Sequence, residues 1–197
     1  MEENHLFPVF FKLNRLHTLV VGGGNIGHEK LNAMLQNCPD ANITVVATWF
    51  LPEVEALAQQ HHTITLIQKE FSCGDMIGKS LVIAATNDKE LNYTIWEKAK
   101  CSKVLINVAD TPELCDFYLG SIVQKGNLKI AISTNGKSPT VAKRLKQVLQ
   151  EAIPDTLDEV LNKLQVIRDR LKGDFTEKVK QLNKITDVLV QEKEKEQ

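Results

Sequence analysis

The chain has 197 residues, with 24 Lys and Arg against 25 Asp and Glu, so its formal net charge is −1 at pH 7. With 43% hydrophobic and 25% charged residues, it has the composition of a folded globular protein, and whole-chain disorder is excluded. The balanced charge lacks the basic excess that nucleic-acid or anionic-membrane binding usually needs. The sequence also has no apolar run near the ~20 residues of a membrane span. We therefore expect neither a nucleic-acid partner nor a membrane partner.

The N-terminus and the cysteines indicate the compartment. The chain begins MEENHLFPVFFKL, with acidic residues first and without the basic region of a secretory signal. Its four cysteines form no CxxC pair, and neither they nor the five histidines have metal-ligand spacing. Isolated thiols are typical of a reducing compartment. The sequence thus predicts a cytoplasmic protein without a metal site.

Up to about residue 110, short β-branched runs alternate with helical stretches, at spacings of about 20 to 25 residues. This alternation predicts βαβ units and a parallel sheet. The first run, TLVVGGG, is continuously apolar, as expected of a strand that is covered on both faces. The predicted strands are 18–21, 43–46, 64–67, 81–84 and 104–106, and the predicted helices are 27–37, 52–60 and 89–100.

The pattern changes after about residue 113. Two strand-like runs, 117–123 and 128–133, are joined by a Gly126-Asn127 pair that is typical of a hairpin turn. Ser138-Pro139 then begins a helix that we expect to end near residue 152. Farther on, apolar residues recur at steps of three and four from Leu157 to Leu189, which predicts more helix. The sequence therefore predicts an α/β protein with a hairpin and a helical C-terminal part.

A glycine-rich segment follows the first predicted strand and begins the first helix. Gly22-Gly23-Gly24-Asn25-Ile26-Gly27 fits the GxGxxG pattern. In this pattern Gly22 permits the tight turn, Gly24 lets the backbone approach a pyrophosphate, and Gly27 allows close helix–strand packing. The helix start at Asn25 and Ile26 supplies N–H groups to the phosphates. This context favours dinucleotide binding; the alternative is a glycine-rich turn without a ligand.

The end of the second predicted strand departs from the usual dinucleotide fingerprint. It reads Val45-Val46-Ala47-Thr48-Trp49, with neither the acidic residue that normally binds the ribose nor an Arg for a 2′-phosphate. Thr48 can still bond a ribose hydroxyl, and Trp49 can cover the adenine. Because no basic residue invites a 2′-phosphate, NAD is favoured over NADP.

Two later segments carry groups for chemistry. Asp110 comes just after the fifth predicted strand, at the edge where open parallel sheets hold ligands. Its carboxylate is a candidate general base; the alternative is a turn-forming Asp before Thr111-Pro112. Lys137 lies at the start of the predicted helix that also carries Arg144, and this arrangement suits carboxylates or phosphate. An ordinary capped helix with a solvated basic face is the alternative.

Taken together, the segments resemble the precorrin-2 dehydrogenase / sirohydrochlorin ferrochelatase family, the N-terminal module of siroheme synthases. The matching strings are FPVFFKL, TLVVGGGNIGHEK, VIAATND at 82–88, NVAD at 107–110, CDF at 115–117 and STNGKSPTVAKRLK at 133–146.

The resemblance implies a Rossmann-like NAD-binding domain at 1–112, a dimerisation element at 113–150 and a helical C-terminal domain at 151–197. It also implies NAD-dependent oxidation of precorrin-2 to sirohydrochlorin, with ferrous iron insertion in some members; whether this chain inserts iron stays open. The family's catalytic aspartate falls on Asp110 and its glycine loop on Gly22–Gly27. Where the family usually has Pro in the hairpin strand, this chain has Gly120, which is expected to loosen that strand.

On this basis the predicted function is a homodimeric dehydrogenase. NAD accepts a hydride equivalent and Asp110 a proton, while Lys137 and Arg144 anchor substrate carboxylates. The alternative is a non-catalytic NAD-sensing regulatory module, which has no reason to carry residues 107–146 in this form. A dehydrogenase for another small acid is disfavoured because the sequence has no His-based hydride-transfer pair.

Overall fold

The computed structural model describes residues 4–171 and 175–186. The chain divides into two compact units: residues 5–119 form one, and the residues from Gly120 onward, with residue 4, belong to the other. The three-part division with boundaries after 112 and 150 stays a prediction.

The first unit is a five-stranded parallel sheet with helices, a Rossmann-like arrangement, so the predicted α/β class is confirmed. The strands lie in the order β3-β2-β1-β4-β5. They are β1 (His17–Val21), β2 (Asn42–Ala47), β3 (Ile64–Gln68), β4 (Leu81–Ala84) and β5 (Leu105–Val108), and the helices are α1 (Asn25–Asn37), α2 (Pro52–Gln60) and α3 (Lys89–Ser102). Short 3₁₀ turns lie at Leu13–Arg15, Cys73–Met76 and Pro112–Leu114.

The central strand β1 is covered on both faces, which explains its continuous apolar sequence. Leu19 and Val21 belong to one buried cluster with Ile95 of α3. Val20 points the other way, into a cluster with Leu31 of α1. Because successive side chains of a strand alternate between faces, one apolar run supplies both halves of the core.

The second unit begins with an antiparallel hairpin of β6 (Ser121–Lys125) and β7 (Leu128–Ile132). Lys125 pairs with Leu128, so Gly126-Asn127 forms the two-residue turn that the sequence predicts. The described residues that follow form the helices α4 (Pro139–Ala152), α5 (Leu157–Arg170) and α6 (Phe175–Thr186). Ser138 caps α4 as predicted, its hydroxyl accepting the Val141 N–H at 3.2 Å.

The apolar stripe predicted beyond residue 157 occupies the less exposed side of α5. Leu157, Val160, Leu164 and Ile167 are half-buried, whereas most of the polar residues between them are exposed. The last residue of the predicted stripe, Leu189, lies outside the described residues. Among the helices that the structure describes, none has the length and apolar character of a bilayer-spanning segment.

The predicted start of the first hairpin strand at residue 117 is wrong, because β6 begins at Ser121. The Phe117 carbonyl accepts a 2.8 Å hydrogen bond from the Asn107 side chain, and its ring meets Phe11 edge-on. These contacts hold residue 117 in the first unit. Gly120 lies just before β6, and a Cβ there would be 2.8 Å from the Ile132 carbonyl oxygen, so glycine allows this close approach.

The edge strand β5 is closed by the segment 115–117. The Asp116 N–H donates to the Ile106 carbonyl at 2.8 Å, and the Asp116 carboxylate accepts the Ile106 N–H at 3.1 Å. The same carboxylate forms an ion pair with Lys100. The outer hydrogen-bonding groups of Ile106 are therefore satisfied, which protects the strand edge.

We predict that Asp116→Ala lowers the free energy of unfolding by about 1–3 kcal/mol, because it leaves the N–H of fully buried Ile106 without an acceptor. Urea denaturation measures the change. Asp116→Asn keeps an acceptor oxygen, so its free energy of unfolding should fall less than that of Asp116→Ala. Equal stability of the Ala variant and the wild type would show that the contact contributes nothing.

Candidate functional site

A cavity of about 440 Å³ lies at the carboxyl ends of the central strands. The sheet order reverses between β1 and β4, and ligands of open α/β sheets bind at such a switch point. The lining comes mainly from four segments, each at the carboxyl end of a different strand. They are Val21–Ile26, Val46–Trp49, Lys69–Phe71 and Ala85–Asp88, together with Leu91.

Three of the four glycines in the loop are required by the protein itself. Gly22 has φ +121° and lies so close to the β4 loop that a Cβ would be 2.3 Å from the Ala85 carbonyl oxygen. A Cβ on Gly23 would be 2.3 Å from the Trp49 carbonyl oxygen, and one on Gly27 would be 2.1 Å from the Gly22 carbonyl oxygen. These close approaches leave no room for a side chain at the three positions. Backbone hydrogen bonds from Gly22 to Val46 and from Ala85 to Val21 fix the loop beside β2 and β4.

Gly24 is different, because the folded chain leaves room for a side chain there. Its φ is −87°, and a Cβ would meet only the Trp49 ring, at 3.5 Å. Gly24 is the N-cap of α1 and has no side chain to accept the first N–H groups of the helix. The backbone at Gly24, Asn25 and Ile26 therefore offers its N–H groups to the cavity, an arrangement that binds anions.

The loop after β4 also forms part of the site, although the sequence does not predict any of its residues as a ligand. The Thr86 hydroxyl donates to the Asn92 side-chain oxygen at 2.7 Å, and the Asn92 amide donates to the Thr86 carbonyl at 3.0 Å. Asp88 caps α3 by accepting the N–H groups of Glu90 and Leu91. This network fixes Ala85–Asp88 beside the glycine loop. The string VIAATND was visible in the sequence, but its place in the cavity depends on the strand order.

Thr48 and Trp49 both line the cavity, where the sequence places them. The indole of Trp49 is 55% exposed, and its edge faces Gly24. The Thr48 carbonyl accepts a hydrogen bond from the Gln68 side chain at 3.0 Å. The cavity thus has an aromatic wall and a hydroxyl at the end of β2, and the next strand supports that end.

Asp110 follows β5 and is exposed in a turn, with φ +58°. It does not line the cavity, but its strand pairs with β4 through Val108 and Ala84, at the same edge of the sheet. The Ala109 N–H donates to the Ala84 carbonyl at 2.9 Å. The start of the turn that presents the Asp110 carboxylate is therefore tied to β4.

The Cys115 thiol supports this turn through hydrogen bonds to the backbone of Val108. It donates to the Val108 carbonyl at 3.2 Å and accepts the Val108 N–H at 3.3 Å and the Asn107 amide at 3.4 Å. Burial raises the pKa of the Cys115 thiol, so the thiol remains a neutral hydrogen-bonding group near pH 7. Cys115 therefore holds the turn and is not a reactive nucleophile.

Lys137 and Arg144 lie in the second unit. Lys137 follows two residues with positive φ, Asn135 and Gly136, in the turn that precedes α4, and Arg144 is exposed on α4 itself. The Lys137 N–H donates to the Thr134 carbonyl at 3.0 Å. Within residues 4–171 and 175–186, no group of three or more His, Cys, Asp or Glu side chains could hold a metal ion.

Comparisons with known proteins agree with this architecture. Residues 9–121 match the model of a family described as putative NAD(P)-binding, and residues 125–152 match the central part of sirohaem biosynthesis proteins. The solved structure of the precorrin-2 dehydrogenase SirC superposes with a TM-score of 0.73 and 26% identity, covering 91% of this chain and 89% of that one.

Siroheme synthases are similar in sequence. The enzyme of Pseudoalteromonas atlantica is 34% identical over 169 residues, which are 86% of this chain and 36% of that protein. The enzyme of a Psychrobacter species is 35% identical over 168 residues, 85% of this chain and 34% of that protein. The chain thus spans about a third of the length of these curated relatives.

These matches confirm the resemblance to siroheme-synthase modules that the sequence motifs indicate. The glycine loop and its cavity lie within the longer of the two matched regions, which includes more than half of the chain. The chain belongs to the putative NAD(P)-binding family and carries, after that domain, the central element of sirohaem biosynthesis proteins.

Proposed function

We propose that the chain is a NAD-dependent dehydrogenase that oxidises precorrin-2 to sirohydrochlorin in siroheme biosynthesis. The observation that carries the proposal is the likeness to the precorrin-2 dehydrogenase SirC over 91% of this chain. That likeness extends beyond the dinucleotide-binding part that many unrelated enzymes share. The siroheme synthases support the same pathway, but their full length is about three times that of the aligned region.

The cavity residues fit a dinucleotide. The N–H groups of Gly24, Asn25 and Ile26 bind the pyrophosphate at the start of α1. Thr48 bonds a ribose hydroxyl, and Trp49 covers the adenine. When bound, NAD accepts the hydride equivalent that leaves the substrate. The groups around the cavity therefore bind and orient the dinucleotide. The proton that the substrate also loses must go to another group.

Asp110 is that group. Dehydrogenation removes a hydride equivalent from a ring carbon and a proton from a ring nitrogen, so the overall reaction releases one proton. The Asp110 carboxylate is exposed at the carboxyl edge of the sheet, in a turn that follows Val108. The Cys115 thiol accepts hydrogen bonds from the Val108 N–H and from the Asn107 amide, which fixes the end of β5. A carboxylate held in this way accepts the proton as a general base.

Lys137 and Arg144 are the proposed anchors for the substrate. Precorrin-2 carries several carboxylates, and cationic side chains bind carboxylates through charge-assisted hydrogen bonds. Arg144 is exposed on α4, and Lys137 lies in the turn that precedes this helix. Both therefore offer positive charge in the N-terminal half of α4 or in the turn before it.

We also propose a cytoplasmic location. Cys73 and Cys101 are exposed thiols, which persist in a reducing compartment.

We predict that Gly24→Asp abolishes NAD binding while the fold survives, because the added carboxylate meets the pyrophosphate and the folded chain has room for it. Gly24→Ala is the matched control and should bind more weakly than the wild type but more tightly than Gly24→Asp. Calorimetry with NAD measures the affinity, and circular dichroism verifies folding. A folded Gly24→Asp variant with unchanged affinity would make the loop purely structural.

The reaction itself is tested by anaerobic mixing of the chain with NAD and precorrin-2. We expect NADH absorbance together with the spectrum of sirohydrochlorin. NAD binding without NADH formation would support the non-catalytic sensing module instead.

In the same assay, Asp110→Asn should lower the rate of dehydrogenation at least ~10²-fold, the usual contribution of a positioned acid–base group. NAD affinity should not change. Asn is suited to this test because it tolerates the left-handed backbone at this position without the charge. If Asp110→Asn kept the full rate, the Asp110 carboxylate would have no catalytic role and Asp110 would only form the turn. Supplying ferrous iron and sirohydrochlorin to both proteins tests iron insertion.

We propose that the chain forms a homodimer through the second unit. The hairpin is a two-stranded sheet, so its outer edges lack strand partners among the described residues. On α4, Val141, Leu145 and Val148 form an exposed apolar stripe at helical spacing, with Val148 60% exposed. A second copy that covers these groups removes apolar surface from water.

Light scattering at micromolar concentration should therefore give twice the 22.1 kDa mass of one chain. Leu145→Glu should produce monomers because it places a charge in the apolar stripe. Gln147→Glu, which adds the same charge to α4 outside the stripe, should remain dimeric. A wild-type mass near that of one chain would contradict the dimer.

A further inference from the structure

The missing acidic residue at the end of β2 leaves the choice between NAD and NADP without its usual determinant. The structure brings another segment to the same place. Ala47 of β2 pairs with Gln68 of β3, and the Lys69 N–H donates to the Ala47 carbonyl at 2.9 Å. The two residues that follow β3, Lys69 and Glu70, thus extend beside Thr48 and line the same cavity.

The positive charge of Lys69 is compensated within the protein. Its amino group lies 2.7 Å from a carboxylate oxygen of Asp75 and donates to the Ser72 hydroxyl at 3.2 Å. The Asp75 side chain is only 11% exposed. Burial alone would raise the pKa of Asp75, but hydrogen bonds from Lys69 and Ser72 outweigh it and hold the pKa below its ordinary value. Lys69 is therefore already engaged by an ionised carboxylate.

The charge of Glu70, unlike that of Lys69, is not compensated by an ion pair among the described residues. Its side chain is exposed at the cavity, and it makes no ion pair within the part of the chain that the structure describes. Two charged side chains, Lys69 and Glu70, line this end of the cavity. Lys69 is paired with Asp75, which also lies near Lys79, so the charge of Glu70 is the one that no ion pair among the described residues compensates.

We propose that Glu70 is the residue that selects NAD over NADP, replacing from β3 the acidic group that β2 lacks. Its carboxylate accepts hydrogen bonds from the hydroxyls of the adenosine ribose and repels a 2′-phosphate. Lys69 does not bind that phosphate because Asp75 and Ser72 occupy its amino group. This inference rests on the proposed dinucleotide-binding function and assigns its specificity.

The test is calorimetry with NAD and with NADP on the wild-type chain and on Glu70→Gln. We expect the wild type to prefer NAD, and the substitution to reduce this preference at least about tenfold, the size expected for one charge-assisted hydrogen bond. Glu70→Lys should reverse the preference. Glu97→Gln on α3 is the matched control, because Glu97 is exposed outside the cavity lining; it should leave both affinities unchanged.

A second variant tests the compensation of Lys69. Asp75→Asn keeps an acceptor oxygen for the Ser72 N–H but removes the negative charge, so NADP affinity should rise several-fold. An unchanged NAD preference in Glu70→Gln would overturn the inference while leaving NAD binding intact. Equal wild-type affinity for the two dinucleotides would overturn it as well. A wild-type chain that binds neither would instead overturn the proposed cofactor, and this inference with it.

Discussion

The contact between α1 and the Gly22 carbonyl is the constraint on which the cavity depends. A Cβ on Gly27 would lie 2.1 Å from that oxygen, so only glycine lets the helix begin this close to the end of β1. Gly22 itself adopts a φ of +121°, which lets the chain turn beside Ala85. Together these approaches place the start of α1 between the ends of β2 and β4. Gly24 is not needed for any of them, and a ligand at the backbone explains its glycine.

A second constraint acts after β5, at the edge of the sheet. Asp110 adopts a left-handed backbone conformation, which Asp and Asn adopt more readily than other non-glycine residues. Such a conformation persists where the surroundings determine it. Here the Cys115 thiol and the Asn107 amide fix the preceding strand end, and Asp116 closes its edge. The strand edge and the presentation of Asp110 therefore depend on the same short segment, 115–117.

Much of the fold could be predicted from the sequence, because its signals are local. The predicted helix 52–60 and strand 81–84 have the bounds that the structure shows, since an apolar run or Pro at the helix start specifies them. The start of β6 could not be predicted, because the Asn107–Phe117 contact decides it and joins residues ten positions apart. The site follows the same rule. The glycine loop is a local pattern, whereas Lys69 and Glu70 reach the cavity only through the pairing of β2 with β3.

The distribution of charge explains how a nearly neutral chain can handle two anionic ligands. With a net charge of −1, the protein has no strong overall field to attract them, so recognition must be local. At the start of α1, backbone N–H groups bind an anion without any side-chain charge. The proposed role of Glu70, whose charge no ion pair among the described residues compensates, is to disfavour a further phosphate at the neighbouring end of the cavity. The proposed substrate anchors, Lys137 and Arg144, belong to the other unit. On the proposed assignments, Glu70 repels a polycarboxylate substrate from the end of the cavity proposed for the adenosine, whereas Lys137 and Arg144 of the other unit attract it.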